Sequence, residues 1–147
     1  MGVVFGYYSF SVISVANGLG DCMAVVELTK ANFENVLTKN EMVIIDFWAA
    51  WCGPCRSFAP VFDAVSENHQ DIVFGKVNAE DEQELAGTFG IRSIPYVMVM
   101  REKIVVFAQA GALPAEGLDS IINQVRALDM AQVHREIAEQ QAQQQQQ

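Results

Sequence analysis

"MVIIDFWAAWCGPCRSFAP", Met42 to Pro60, sets a β-branched and aromatic run directly before two cysteines spaced one helical turn apart. Met42 to Trp48 has the composition of a buried central strand. Phe58, Val61, Phe62 and Val65 then recur at helical spacing, so the cysteines stand where a strand gives way to a helix. Pro60 falls inside that helix and should kink it, because proline removes a backbone donor and crowds the preceding turn.

Outward from this stretch the pattern alternates. "AVVEL" (Ala24–Leu28) reads as a strand, with Thr29 as N-cap of a helix through about Leu37. "DIVFGKVN" (Asp71–Asn78) is a strand, and "DEQELAGTFG" (Asp81–Gly90) a short helix with early acids and a terminal glycine. "YVMVM" and "IVVFAQA" form two strands joined by "REK" (Arg101–Lys103). Pro114 opens a last helix with Leu118, Ile121, Ile122, Val125 and Leu128 on its apolar stripe. The order predicts an α/β fold: a mixed central sheet with helices on both faces.

The ends differ. Residues 1–22 carry no Lys or Arg and lack a signal peptide's positive start. They read as a poorly ordered extension or as translation from a start upstream of Met23; a signal cleaved after Ala16 is the alternative. Residues 23–128 form the domain. In 129–147, Met130, Val133 and Ile137 suit a helical extension, whereas "QQAQQQQQ" is too polar to order itself.

The chain has 147 residues, 51% hydrophobic, which suits one domain with a real core. Its net charge of −9 argues against a nucleic-acid partner, and no apolar run approaches the roughly 20 residues needed to cross a bilayer.

Three chemistries are open to Cys52 and Cys55. Structural zinc wants four ligands, and here one pair stands with a remote Cys22 and with His69 and His134, 65 positions apart. No metal is expected. A purely structural disulfide closing so short a loop constrains the unfolded chain little. Redox exchange fits best. At a helix start, unpaired N–H groups and the dipole favour thiolate over thiol at Cys52, and Cys55 is buried one turn further in. Gly53 lets the turn tighten, Pro54 suits a first helical turn, and Trp51 shields the thiolate and meets partners.

In these residues the chain resembles the thioredoxin family. "VIIDFWAAWCGPCRSFAP", "GKVNAEDEQELAGTFGIRSIPYVMVM" and "AQAGALPAEGLDSII" match it in order and spacing, from about Ala24 to Leu128. The resemblance implies the thioredoxin fold and a protein-disulfide reductase, with Cys52 as nucleophile and Cys55 as the resolving thiol. It implies no bound cofactor: electrons come from NADPH through a thioredoxin reductase and pass to disulfide-containing clients. It also implies a cytoplasmic monomer. Asp46 becomes the acceptor of the Cys55 proton, through water, and Lys76 its partner; burial of the carboxylate would raise its pKa to suit. Pro95 matches a cis-proline facing the cysteines, Ile94 pairs with the substrate chain, and Gly111 and Ala112 form another groove wall. Tyr96 replaces a smaller threonine and is expected to alter the groove, and Arg56 replaces a lysine. An exported oxidoreductase and a redox-independent binding or chaperone module are the competing functions.

Overall fold

The computed structural model describes residues 25–146. The amino-terminal segment, with Cys22 and the signal-or-extension question, lies outside the described residues. Five strands, β1 (Val25–Glu27), β2 (Met42–Trp48), β3 (Val73–Asn78), β4 (Tyr96–Arg101) and β5 (Ile104–Ala110), form one sheet in the order β1-β3-β2-β4-β5. β1, β3 and β2 are parallel; β4 and β5 join antiparallel. Among the described residues five helices cover it: α1 (Phe33–Lys39), α2 (Gly53–Glu67), α3 (Gln83–Thr88), α4 (Ala115–Arg126) and α5 (Met130–Gln144). The mixed sheet with helices on both faces is as expected.

Strand β2 is central, and its alternation sorts the core. Ile44 joins Phe58 and Phe62 of α2, Phe74, and Leu118 and Ile122 of α4 on one face. Val43, Ile45 and Phe47 join Leu85 and Ala86 of α3 on the other, with Phe33, Val36 and Leu37 of α1 packed against them. Gly75 of β3 faces Leu28, which is 1% exposed, and a Cβ there would lie 2.6 Å from Leu28 Cγ. Gly75→Ala is therefore expected to cost about 1–3 kcal/mol by overpacking, measurable as a lower urea midpoint.

Several boundaries depart from expectation. α1 begins at Phe33 with Asn32 as its N-cap residue, not at Thr29. The Asn32 side chain accepts from Thr29 N–H and donates to Glu27 O, folding Thr29–Asn32 into a turn that competes with the helix. The β4–β5 connection is two residues: Glu102 and Lys103 both have positive φ, 51° and 65°, as a mirror-image hairpin turn demands. Arg101 belongs to the strand.

The largest difference is at the carboxyl end. Helix α4 stops at Arg126 because Arg101 Nη1 donates to the carbonyls of Val125, Arg126 and Leu128, which takes over the bonds a further turn would make. Leu128 is consequently 37% exposed and not part of the stripe. Asp129 then caps a separate helix by accepting from Gln132 N–H. α5 buries Met130, Val133 and Ile137 in the same core as α2 and α4, and His134 Nε2 meets Glu102 Oε2 at 2.9 Å. The glutamines expected to be disordered continue this helix to Gln144. Glutamine and alanine are good helix formers once packed turns have met the cost of nucleation. Ile137 is 2% exposed, so Ile137→Ala is expected to destabilise the chain by about 2–4 kcal/mol in a denaturant titration.

Candidate active site

The sulfurs sit where β2 ends. The chain leaves Trp48 through Ala49–Trp51, a turn closed by Cys52 N–H donating to Ala49 O at 3.2 Å. Cys52 is the N-cap residue of α2, in extended conformation (φ −84°, ψ 109°). Its Sγ accepts from Cys55 N–H at 3.2 Å, so a donor that the helix leaves unpaired points at the sulfur. Cys52 and Cys55 form a disulfide, with Cα atoms 5.2 Å apart. That separation is usual for a bridge, so the pair can open and close without moving the backbone. Cys52 is 4% and Cys55 2% exposed, while Trp51 beside them is 65% exposed. Both cysteines are thus buried, and the neighbouring Trp51 ring projects into solvent.

Pro54 occupies the first turn of α2, where its missing donor is no loss. Gly53 plays a smaller part than expected. A Cβ there would meet nothing closer than Arg56 Nη2 at 3.9 Å, so the tight turn does not require glycine. Arg56 does more than the sequence suggested. Its Nη1 donates to Ala50 O at 2.8 Å, tying the first turn of α2 to the loop that carries Trp51. A positive charge one residue past a cysteine was the only available signal.

Across from the disulfide, the Ile94–Pro95 peptide bond is cis, and Ile94 O lies 3.8 Å from Cys52 Sγ. Gly111, with φ of 99°, donates its N–H to Pro95 O at 2.8 Å, which brings the Gly111–Ala112 turn to the same loop. Cys52, Ile94, Pro95 and Gly111 therefore share one rim. Tyr96 does not. Its ring packs edge-on against Phe47, 6.3 Å between centroids, in the core on the α1–α3 face.

Asp46 is fully buried in β2, and neither carboxylate oxygen meets a hydrogen-bond donor among the described residues. Burial raises its pKa from 3.8 to about 7; the Lys76 charge opposes the rise and Asp63 adds to it. Lys76 is the register partner of Asp46 on β3 but makes no ion pair with it among the described residues. Its Nζ instead lies 5.4 Å from the centroid of the Trp48 ring, a cation–π contact.

A disulfide-forming sulfur pair at a helix start, facing a cis-proline loop, defines a thiol–disulfide oxidoreductase. The thioredoxin family model matches residues 24–124. The "Putative thioredoxin 2" of Streptomyces coelicolor is 55% identical over 120 residues, 82% of this chain and 90% of the relative. The thioredoxin of Porphyra purpurea is 40% identical over 103 residues, 69% of this chain and 96% of its own. A chain in the crystal structure of the ferredoxin:thioredoxin reductase and thioredoxin f2 complex superposes with a TM-score of 0.65 at 32% identity, over 70% of this chain and 96% of that one. The chain belongs to the thioredoxin family, and its Cys52–Cys55 pair makes it a protein-disulfide reductase.

Proposed function

We propose that Cys52 thiolate attacks a client disulfide, forming a mixed disulfide and expelling one client thiolate. Cys55 then loses its proton, through water, to Asp46, and its thiolate attacks Cys52 Sγ. The second client thiolate leaves and Cys52–Cys55 closes. Two electrons pass from the dithiol to the client, and NADPH returns them through a thioredoxin reductase. One observation carries this reading: Cys52 Sγ caps α2 and faces Ile94 O at the rim of the cis-proline loop, where the attacking sulfur and the backbone that would align a client meet.

Asp46 suits its part because a carboxyl with a pKa of about 7 can accept and release protons at neutral pH. Lys76 acts as a nearby charge that limits the rise. Trp51 covers the sulfur and contacts clients; Ile94, Pro95, Gly111 and Ala112 form the groove. Arg56 holds the loop in place. No helix among the described residues is long and apolar enough to cross a membrane. The family resemblance favours a cytoplasmic monomer working on protein clients, with export as the alternative if a signal is cleaved after Ala16.

The test is reduction of insulin disulfides with NADPH and a thioredoxin reductase. Turnover that depends on both Cys52 and Cys55 supports the proposal. Turnover with dithiothreitol but none with any reductase would remove the NADPH route and leave the thiol chemistry standing.

A further inference from the structure

Arg56 is exposed on the first turn of α2 and forms no ion pair among the described residues. Its guanidinium lies instead along the loop that precedes the helix. Nη1 donates to Ala50 O at 2.8 Å, and Nη2 lies 3.9 Å from where a side chain on Gly53 would begin. Among the described residues no other hydrogen bond reaches Ala50 or Trp51. The indole of Trp51, 65% exposed, is therefore carried on a segment with a single polar tie to the helix behind it.

We propose that Arg56 is a positioning residue that sets client affinity through Trp51: by pinning Ala50 O it holds the indole where a protein client meets it. The inference rests on the reading above, in which Trp51 contacts clients. It bears most on the reduced chain, the form that attacks. Opening the Cys52–Cys55 bond removes the covalent tie between loop and helix. Arg56 keeps two others, its own N–H on Cys52 O at 3.2 Å and its guanidinium on Ala50 O. A charged donor makes one of the stronger kinds of hydrogen bond, and the planar guanidinium gives up less freedom per bond than a lysine ammonium does. A loop without that tie has to be ordered at each encounter, and the ordering cost falls on client binding. The positive charge of Arg56 could act on the Cys52 sulfur directly, but such an effect would touch every disulfide alike. An effect through Trp51 touches only a client large enough to reach the ring.

The reduced chain is mixed with excess insulin or with hydroxyethyl disulfide, a small uncharged disulfide, and thiol loss is followed by quenched alkylation. Arg56→Ala is expected to slow the reaction with insulin about fivefold and to leave hydroxyethyl disulfide within about twofold. The retained small-disulfide rate also shows that the variant is folded. Trp51→Ala should slow insulin at least as much, and adding Arg56→Ala to it should slow insulin no further, since the two residues act as one unit. Equal slowing with both disulfides overturns the proposal and assigns Arg56 to the charge at the sulfur. An insulin rate unchanged in either single variant overturns it too, as do effects that multiply in the double variant. A natural chain that reduces neither disulfide removes the thiol mechanism itself, and this inference with it.

Discussion

Cys52→Ser is expected to bring insulin-disulfide reduction down by at least about 10³-fold, which corresponds to 4 kcal/mol or more of lost transition-state stabilisation. The reason is chemical. A serine hydroxyl does not attack a disulfide sulfur at neutral pH, and no other group among the described residues at this rim can replace it. Cys55 lies in the first turn of α2, whereas it is Cys52 Sγ that sits 3.8 Å from Ile94 O at the rim where the proposed client docks. Cys55→Ser should fail differently. Its Cys52 still attacks, so the variant is expected to accumulate as a mixed disulfide with its client, visible by mass spectrometry and reversed by dithiothreitol. Partner binding that survives loss of both sulfurs would instead favour the redox-independent module. Catalytic turnover surviving Cys52→Ser would remove the nucleophile from the mechanism altogether.

The second large effect is on stability. Asp46 has its pKa raised from 3.8 to about 7, chiefly by desolvation, with neither oxygen hydrogen-bonded among the described residues. Since each pKa unit is worth about 1.4 kcal/mol, ionising it in the fold costs on the order of 4 kcal/mol more than in the unfolded chain. The sign follows from proton binding. Between about pH 4 and 7 the folded state keeps a proton that the unfolded state has lost, so stability falls as pH rises through this window and levels off above it. Asp46→Asn removes the ionisation and keeps the shape. The variant is expected to be more stable than the natural chain at pH 8 by up to about 4 kcal/mol, and equal to it near pH 4. Urea titrations of both proteins across that range decide the matter. A stability difference that does not vary with pH would mean that Asp46 does not titrate as its burial requires. The natural residue is thus a stability cost, carried where the proposed mechanism needs a proton acceptor.

What could be read from the sequence was what local chemistry determines. Met42–Trp48 is strand-like by composition, and the helix after Cys52 follows from its periodicity and from Pro54 in its first turn. Asp46 stood out as an acid in an apolar strand, and the structure finds it buried. Tertiary packing decided the rest. Nothing local shows that Arg101 would take the carbonyls of Val125, Arg126 and Leu128, yet that contact ends α4 and releases α5 to cover the core. The left-handed pair Glu102–Lys103 lacks the glycine or asparagine by which such turns are usually recognised. Family comparison placed Tyr96 at the groove, but the pleat of β4 sends its ring to Phe47. The resemblance implies Lys76 as the partner of Asp46. Its position beside Asp46 in the register is right, but its ammonium group turns to Trp48.

In the proposed mechanism Cys52 attacks as a thiolate, the form that a helix start and the Cys55 N–H favour once the disulfide is reduced. The direct measurement is the alkylation rate of the reduced chain by iodoacetamide at pH 7, resolved by peptide mass spectrometry and set against glutathione. Cys52 should react several-fold faster than glutathione, with Cys55 lagging far behind. A Cys52 that reacts no faster than glutathione would contradict the helix-activated thiolate.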